Sequence, residues 1–259
     1  MDNTYIEHQI KAINEWESRR PSVVEQGISS ILAPVHSVAS RVIPEQMVEA
    51  ALTKACAIGK TLARKGDIIS DGEVESIAEL RYKDLELSDE IADSVHNWAI
   101  GTAASEGFAT GMGGAAVMAA DIGFLITFAF RTIHRIGMCY GYEVKTDDDE
   151  RFVLGILSVS SANTINERKA ALLALKADIR AGGLVAQKIL MSDLIKNLAK
   201  QMGINLTKRK MAQVVPLIGA GLGAAMNYSF ITDIAWAARR AYQQRWLADN
   251  GYRNINVDL

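Results

Sequence analysis

With 259 residues the chain can form one large domain or two small ones. Its 28 basic and 30 acidic residues nearly cancel, at a formal net charge of -2, which excludes the basic footprint of a nucleic-acid binder and a strongly acidic partner. A hydrophobic share of 49% with four prolines, nine methionines and much alanine favours helix over sheet.

The opening segment sets Tyr5, Ile6, Ile10, Ile13 and Trp16 on one helical face and carries no apolar run of the signal-peptide type. Arg19 and Arg20 close that helix, and Pro21 suits the first turn of the next. Ala33-Pro34 and Ile43-Pro44 are breaks. Val48, Leu52, Ala55, Cys56, Ile58, Leu62 and Ala63 then define a long amphipathic helix, with Gly66 as its C-cap. Ser70-Asp71-Gly72 is a turn before a short helix over Glu73 to Leu80, and Leu87 to Glu90 opens a helix ending near Glu106.

Two glycine-studded apolar stretches stand out. Gly107 to Phe130 has Asp121 as its only charge; Met211 to Thr232 has basic neighbours before it, no charge after Met211, and Asp233 behind it. Both exceed the ~20 residues that span a bilayer core. Small residues at every fourth place (Gly107, Gly111, Ala115, Ala119, Gly123; Gly219, Gly223) let helix backbones approach closely. The expected layout is a loop over Gly107 to Gly114, then a helix from about Ala115 to Cys139. Asp147, Asp148 and Asp149 mark the next helix start, and Asn163 caps the one after, which Gly182-Gly183 breaks. Leu184 to Met202 and a last helix from about Gly219 to Asp249 complete an all-α chain of about nine to eleven helices. The expectation is a single helical domain over residues 1–259, with the two Gly-rich helices packed together at its centre.

No motif points to a reaction. Gly111-Met112-Gly113-Gly114 lacks a preceding strand and a following Lys-Ser/Thr pair. Asp67 to Gly72 puts Ile69, and later Ala78, where a calcium loop needs oxygen ligands. His8, His36, His96 and His134 have no metal-ligand spacing, and Cys56 and Cys139 are far apart in apolar helices, as in reduced cytoplasmic proteins. No catalytic, metal or cofactor-binding residues are therefore expected. A polar set is expected instead from Asp121, Arg131, Arg135, Asn227 and Asp233, because charges in apolar helices are costly unless paired. It is either a structural network or a site for a ligand headgroup.

The block Gly107-Phe108-Ala109-Thr110-Gly111-Met112-Gly113-Gly114, with Asp121, Arg131 and Tyr140-Gly141-Tyr142, resembles the EcsC protein family. Val215-Pro216-Leu217-Ile218-Gly219, Asn227-Tyr228, Ala237, Tyr242 and Arg245 agree, as do Trp16-Glu17 and Pro21. The chain departs from the family at Ala109, often Leu there, and at Met118-Ala119-Ala120, where a proline often precedes the Asp. The resemblance implies a bacterial protein whose family is named for a gene beside an ABC transporter pair linked to protein secretion and processing. It brings no catalytic residues.

Arg239, Arg240 and Arg245 follow the second apolar stretch while Lys208, Arg209 and Lys210 precede it, a poor asymmetry for a spanning protein. Asp121 and Asp233 would each cost ~2.5–3.5 kcal/mol at mid-bilayer. The expectation is a cytoplasmic, non-enzymatic module peripheral to the inner face of the cell membrane, touching lipid through Lys208, Arg209, Lys210, Arg239 and Trp246 and acting with a membrane transporter or envelope system. The alternatives are a hydrolase acting on lipid or peptide, and a carrier of an apolar ligand.

Overall fold

The computed structural model describes residues 3–22, 43–110, 115–180, 190–212 and 222–252. Among them are ten helical elements and no strand, so the chain is all-α. In chain order they are α1 (Asn3–Ser18), α2 (Glu45–Leu62), the short α3 (Gly66–Asp71), a 3₁₀ segment (Ile77–Tyr82), α4 (Leu85–Thr110), α5 (Ala115–Cys139), α6 (Asp147–Ser160), α7 (Ile165–Arg180), α8 (Met191–Ala212) and α9 (Leu222–Asp249).

α9 is the axis of the bundle. It lies along α4 and α5 and is also met by α6, α7, α8 and α1, while α2 bridges α5 and α8. A helix walled in on all sides must be apolar all round or have its polar groups paired. α9 buries Phe230, Ile234, Ala238, Tyr242 and Trp246, and of its buried polar side chains Arg239 pairs with Asp93 and Gln243 donates to Asp89.

The sequence explains how α5 and α9 are held together and stopped. A Cβ at Gly137 would stand 2.6 Å from the Tyr242 ring, so the two helices meet where α5 has no side chain. Both end in the same device. After α5, the Tyr142 N–H donates to the Gly137 carbonyl and the Gly141 N–H to that of Met138, each at 2.9 Å, with Gly141 at φ 85. After α9, Tyr252 donates to Leu247 at 2.9 Å and Gly251 to Ala248 at 3.1 Å, with Gly251 at φ 75. These are Schellman caps, in which a left-handed glycine lets the last carbonyls find donors.

Several boundaries differ from the sequence expectation. Gly66 opens α3 instead of capping α2, whose C-cap is Ala63. The short helix falls at Ile77–Tyr82, and as a 3₁₀ segment. α4 continues through Gly107 to Thr110, where a loop is expected; a helical glycine costs only about 1 kcal/mol, too little by itself to stop a long helix. The cap of α7 is Thr164, whose hydroxyl accepts from the Glu167 N–H at 3.1 Å, while the Asn163 amide donates to the Gln201 carbonyl at 2.9 Å. α8 runs past Met202 to Ala212. The expected start of α6 holds: Thr146 and Asp149 form a capping box. The helices that carry the two Gly-rich stretches, α5 and α9, do pack on each other, while Gly111 to Gly114, Gly182-Gly183 and Gly219 lie outside the described residues.

Candidate functional site

Three of the polar groups inside the bundle bear on a site. The first joins α1, α4, α5 and α9 around Asp89, which is buried. Its carboxylate accepts from the Tyr5 hydroxyl at 2.7 Å, the Tyr140 hydroxyl at 2.5 Å and the Gln243 amide at 2.6 Å. Burial, and then the Asp89 charge, push the Tyr5 and Tyr140 hydroxyls far above their usual range, so they stay protonated as donors. Two turns further along α4, His96 packs edge-on to Trp236 at 5.0 Å between centroids. Burial and the nearby Arg239 pull His96 down to about 4, which keeps it neutral. Arg239 lies over Trp236 at 4.9 Å and pairs with Asp93, and Arg240 lies over the same ring at 5.2 Å. For Arg239 burial alone would lower the pKa, but Tyr140, Asp93 and Asp89 outweigh it and raise it.

The second group surrounds Arg209 of α8, whose side chain is buried. Its Nε donates to the Asn205 carbonyl oxygen at 2.8 Å and its Nη1 to the Ser229 hydroxyl at 3.0 Å. Its Nη2 reaches the Ser22 hydroxyl at 2.8 Å and the Asp233 carboxylate at 2.5 Å, and Ser22 in turn donates to Asp233. All three nitrogens are used, so this group ties α8 and α9 to the segment after α1, with acceptors for four of the five guanidinium N–H groups.

The third group is different. Arg131 and Arg135 stand one turn apart on α5, with their guanidinium carbons 4.7 and 5.2 Å from the centroid of Trp98 on α4. Arg135 is buried and pairs with Asp67 of α3, whose side chain is half exposed. No carboxylate among the described residues pairs with Arg131, and the Nε atoms of both arginines are buried without a hydrogen-bond partner. Burial, then the like charges of Arg135 and Arg64, pull Arg131 below the ordinary guanidinium range. For Asp67, burial would raise the pKa, but the Arg135 hydrogen bond and charge outweigh it and hold the carboxyl below its usual range. These groups line an open cleft of about 540 Å³ whose charged members are Arg64, Arg131 and Arg135 against Asp67 and Asp71. From its mouth an aromatic row continues along α5: Trp98 meets Phe128 at 5.6 Å, and Phe128 stacks on Phe124 at 5.7 Å. Phe124 is 46% exposed and Trp98 38% exposed.

The structure therefore divides the polar set expected from sequence. Arg131 and Arg135 share the cleft, Asp233 belongs to the Arg209 group, Asp121 is half-buried near the start of α5, and the Asn227 side chain lies outside the described ones. The surface set needs correction. Arg209 and Arg239 are buried in ion pairs and Trp246 is wholly buried, because α8 and α9 turn these residues into the bundle. Lys208 is half-buried, and the Lys210 side chain is outside the described ones. Sequence reasoning missed Asp89, Trp98 and the cleft role of Asp67. A signal was present for two of them: Asp89, Asp93 and His96 recur on one stripe of α4, and Trp98 lies on the same apolar helix that faces the α5 arginines. Among the described residues no group of His, Cys, Asp and Glu is arranged to hold a metal, and both cysteines are free thiols.

An all-α bundle with arginines on its inner helices and paired Gly-Tyr helix ends defines a class that sequence comparison makes specific. The chain matches the EcsC protein family over residues 7–247 and belongs to that family. It is also similar to an uncharacterized protein, YdbA, of Bacillus subtilis (strain 168), at 28% identity over 174 residues, 66% of this chain and 62% of that relative. The similarity thus spans about three fifths of that curated relative's length. No solved structure matches.

Proposed function

We propose that this protein is a non-enzymatic helical module that docks on an anionic membrane surface, at the cytoplasmic side of the cell membrane, beside a transport or envelope system. The observation that carries this reading is the continuous row of exposed Phe124, stacked Phe128 and Trp98 leading into Arg131 and Arg135. Apolar rings beside cations suit the boundary between headgroups and acyl chains. Among the described residues the stretch Ala120–Cys139 is long and apolar enough to cross a bilayer, but 78% of it is buried by other helices. That burial supports a peripheral role over a spanning one, since a core helix has already used its apolar faces.

The test is flotation of the purified chain with vesicles of phosphatidylcholine alone or mixed with phosphatidylglycerol. Binding should need the anionic lipid and fall steeply from low to high salt, since each basic side chain at an anionic surface contributes about 1 kcal/mol that is screened within a Debye length. Phe124→Ser should weaken it by several fold. Absence of binding at low salt rejects the reading, and binding that survives both high salt and carbonate makes the protein integral instead.

A further inference from the structure

We propose that the cleft between α3, α4 and α5 is a binding site for a terminal phosphate group, held by Arg131 and Arg135 and guarded by Asp67. This deepens the membrane reading and rests on it for the source of the phosphate, a lipid headgroup; a soluble phosphate ester offers the same chemistry.

The argument begins with charge. A buried cation is retained at a cost unless an anion answers it. Elsewhere in the bundle each buried arginine has acceptors: Arg239 has Asp93, Arg209 has Asp233 with two hydroxyls and an amide oxygen, and Arg168 has three backbone carbonyls, although the Nε atoms of Arg239 and Arg240 are also buried without a partner. In the cleft, three guanidiniums face Asp67 and Asp71, and among the described residues only Arg135 is paired. Arg135 is the decisive group. Its side chain is 8% exposed, it lines the cleft, and its Nε has no partner. Arg131 adds a second buried, unpartnered Nε next to it. Trp98 fixes both guanidiniums against one ring, so the fork geometry is prepared before a ligand arrives.

The shape of the ligand follows from the donors. An anion that satisfies both arginines needs acceptor oxygens for two forks at once. A terminal phosphate presents three such oxygens and up to two charges, whereas the single carboxylate of Asp67 reaches Arg135 alone. Asp67 then has a second role. It is exposed on the rim and occupies part of the donor edge of Arg135, so an incoming phosphate must displace it. Asp67 is a competitor built into the site: it shields Arg135 while the cleft is empty and lowers the affinity of any anion that enters.

The opposed signs of Arg131 and Asp67 make the test sharp. Binding of glycerol 3-phosphate is measured by calorimetry, and binding of vesicles at matched surface charge, one set with phosphatidic acid and one with phosphatidylglycerol. The chains are wild type, Arg131→Gln and Asp67→Asn, with exposed Lys54→Gln and Glu45→Gln as charge controls on α2. Arg131→Gln should weaken glycerol 3-phosphate binding and phosphatidic-acid vesicle binding about tenfold or more, as expected for loss of a charge-assisted contact. Asp67→Asn should tighten both by several fold, and phosphatidic acid should be preferred to phosphatidylglycerol. The control substitutions should move neither by more than about twofold. Melting curves establish that each variant is folded. Equal loss in Arg131→Gln and Lys54→Gln overturns the site in favour of bulk charge, and so does weakening by Asp67→Asn. If glycerol 3-phosphate binds through Arg131 and no vesicle does, the phosphate site stands and the membrane reading fails. If vesicles bind regardless of Arg131 and glycerol 3-phosphate does not bind, the membrane reading stands and the phosphate site fails.

Discussion

The bundle contains two versions of one arrangement, a tryptophan carrying two arginines. Trp236 carries Arg239 and Arg240 at 4.9 and 5.2 Å; Trp98 carries Arg131 and Arg135 at 4.7 and 5.2 Å. The rings and distances are alike, yet the surroundings act in opposite directions. Around Trp236, Asp93 pairs with Arg239, Gln9 and Gln243 accept from Arg240, and Asp89 lies behind them. Around Trp98, cations outnumber the acidic groups that reach them. Burial depresses Arg131 and Arg240 and alone would depress Arg239; the polar surroundings of Tyr140, Asp93 and Asp89 reverse the effect at Arg239, Arg240 is lowered further by Arg239 but keeps Gln9 and Gln243 as acceptors, and at Arg131 the cations Arg135 and Arg64 deepen it. A saturated arginine holds helices together. An arginine with unanswered charge is stability forgone, and it is the place to look for a ligand.

The comparison breaks most visibly at the carboxylates. Asp89→Ala leaves two buried hydroxyls, an amide and nearby arginines without their anion, and should cost about 3–5 kcal/mol. Asp67→Ala leaves the buried Arg135 without its carboxylate but beside the open cleft, and should cost less, about 1–3 kcal/mol. Urea denaturation of both variants reads the difference, and equal losses would remove the distinction between the two regions. Glycines on α5 sharpen it next. Gly137→Ala must push a methyl into the Tyr242 ring and should cost about 1–3 kcal/mol. A Cβ at Gly123 has nothing within 4 Å, so Gly123→Ala should be neutral or stabilising by up to about 1 kcal/mol from helix propensity. A thermal melt showing Gly123→Ala to be the more harmful of the two would mean that the crowded end of α5 is misplaced.

A smaller effect should appear with pH on the saturated side. His96 has a folded pKa of about 4, depressed by burial and Arg239, against an ordinary 6.5. The unfolded chain therefore binds the extra proton first as pH falls. The contribution of neutral His96 is whole above about pH 6.5 and is lost progressively towards pH 4. His96→Phe should flatten that part of the stability profile, and the test is the difference between wild-type and variant urea midpoints from pH 7 to 4.5. A difference independent of pH would show that His96 titrates alike in the folded and unfolded chain.

How far the sequence reaches depends on what kind of fact is asked of it. Apolar periodicity and caps are local, so the all-α class, the span of α5 and the acidic start of α6 are legible from residues a few places apart. The ends of α4 and α8 are not: helix runs on through Gly107, and the buried Arg209 pair carries α8 past Lys208. The site is less legible still. Arg131 and Arg135 can be singled out from the stripe they make on one apolar helix, but their neighbours depend on which helices meet: Asp67 is 68 residues away from Arg135 in the chain. The same limit misplaces Arg209, Arg239 and Trp246 on the surface. Basic and aromatic residues near a chain's end suggest an interface, and only the enclosure of α9 by its neighbours reveals that they face inward.

The smallest expected effect is the most telling, because a structural reading gives it the other sign. Arg131→Met removes a charge that burial and two neighbouring arginines disfavour, and keeps an unbranched side chain to cover Trp98. Lost with the charge is its stacking on Trp98, about 0.5–1 kcal/mol at a partly exposed site. Gained are relief of repulsion with Arg135 and Arg64 and removal of a buried Nε that lacks an acceptor, a group that costs about 1–3 kcal/mol when left unsatisfied. The gain matches or exceeds the loss, so the melting temperature without added anion should equal or exceed that of the wild type. Added glycerol 3-phosphate separates the chains again: it should raise the melting temperature of the wild type, since a ligand bound only by the folded chain stabilises it, and leave Arg131→Met unmoved. If Arg131→Met instead melts well below the wild type with no anion present, Arg131 is a structural residue like Arg239, and the contrast between the two tryptophan stacks is lost.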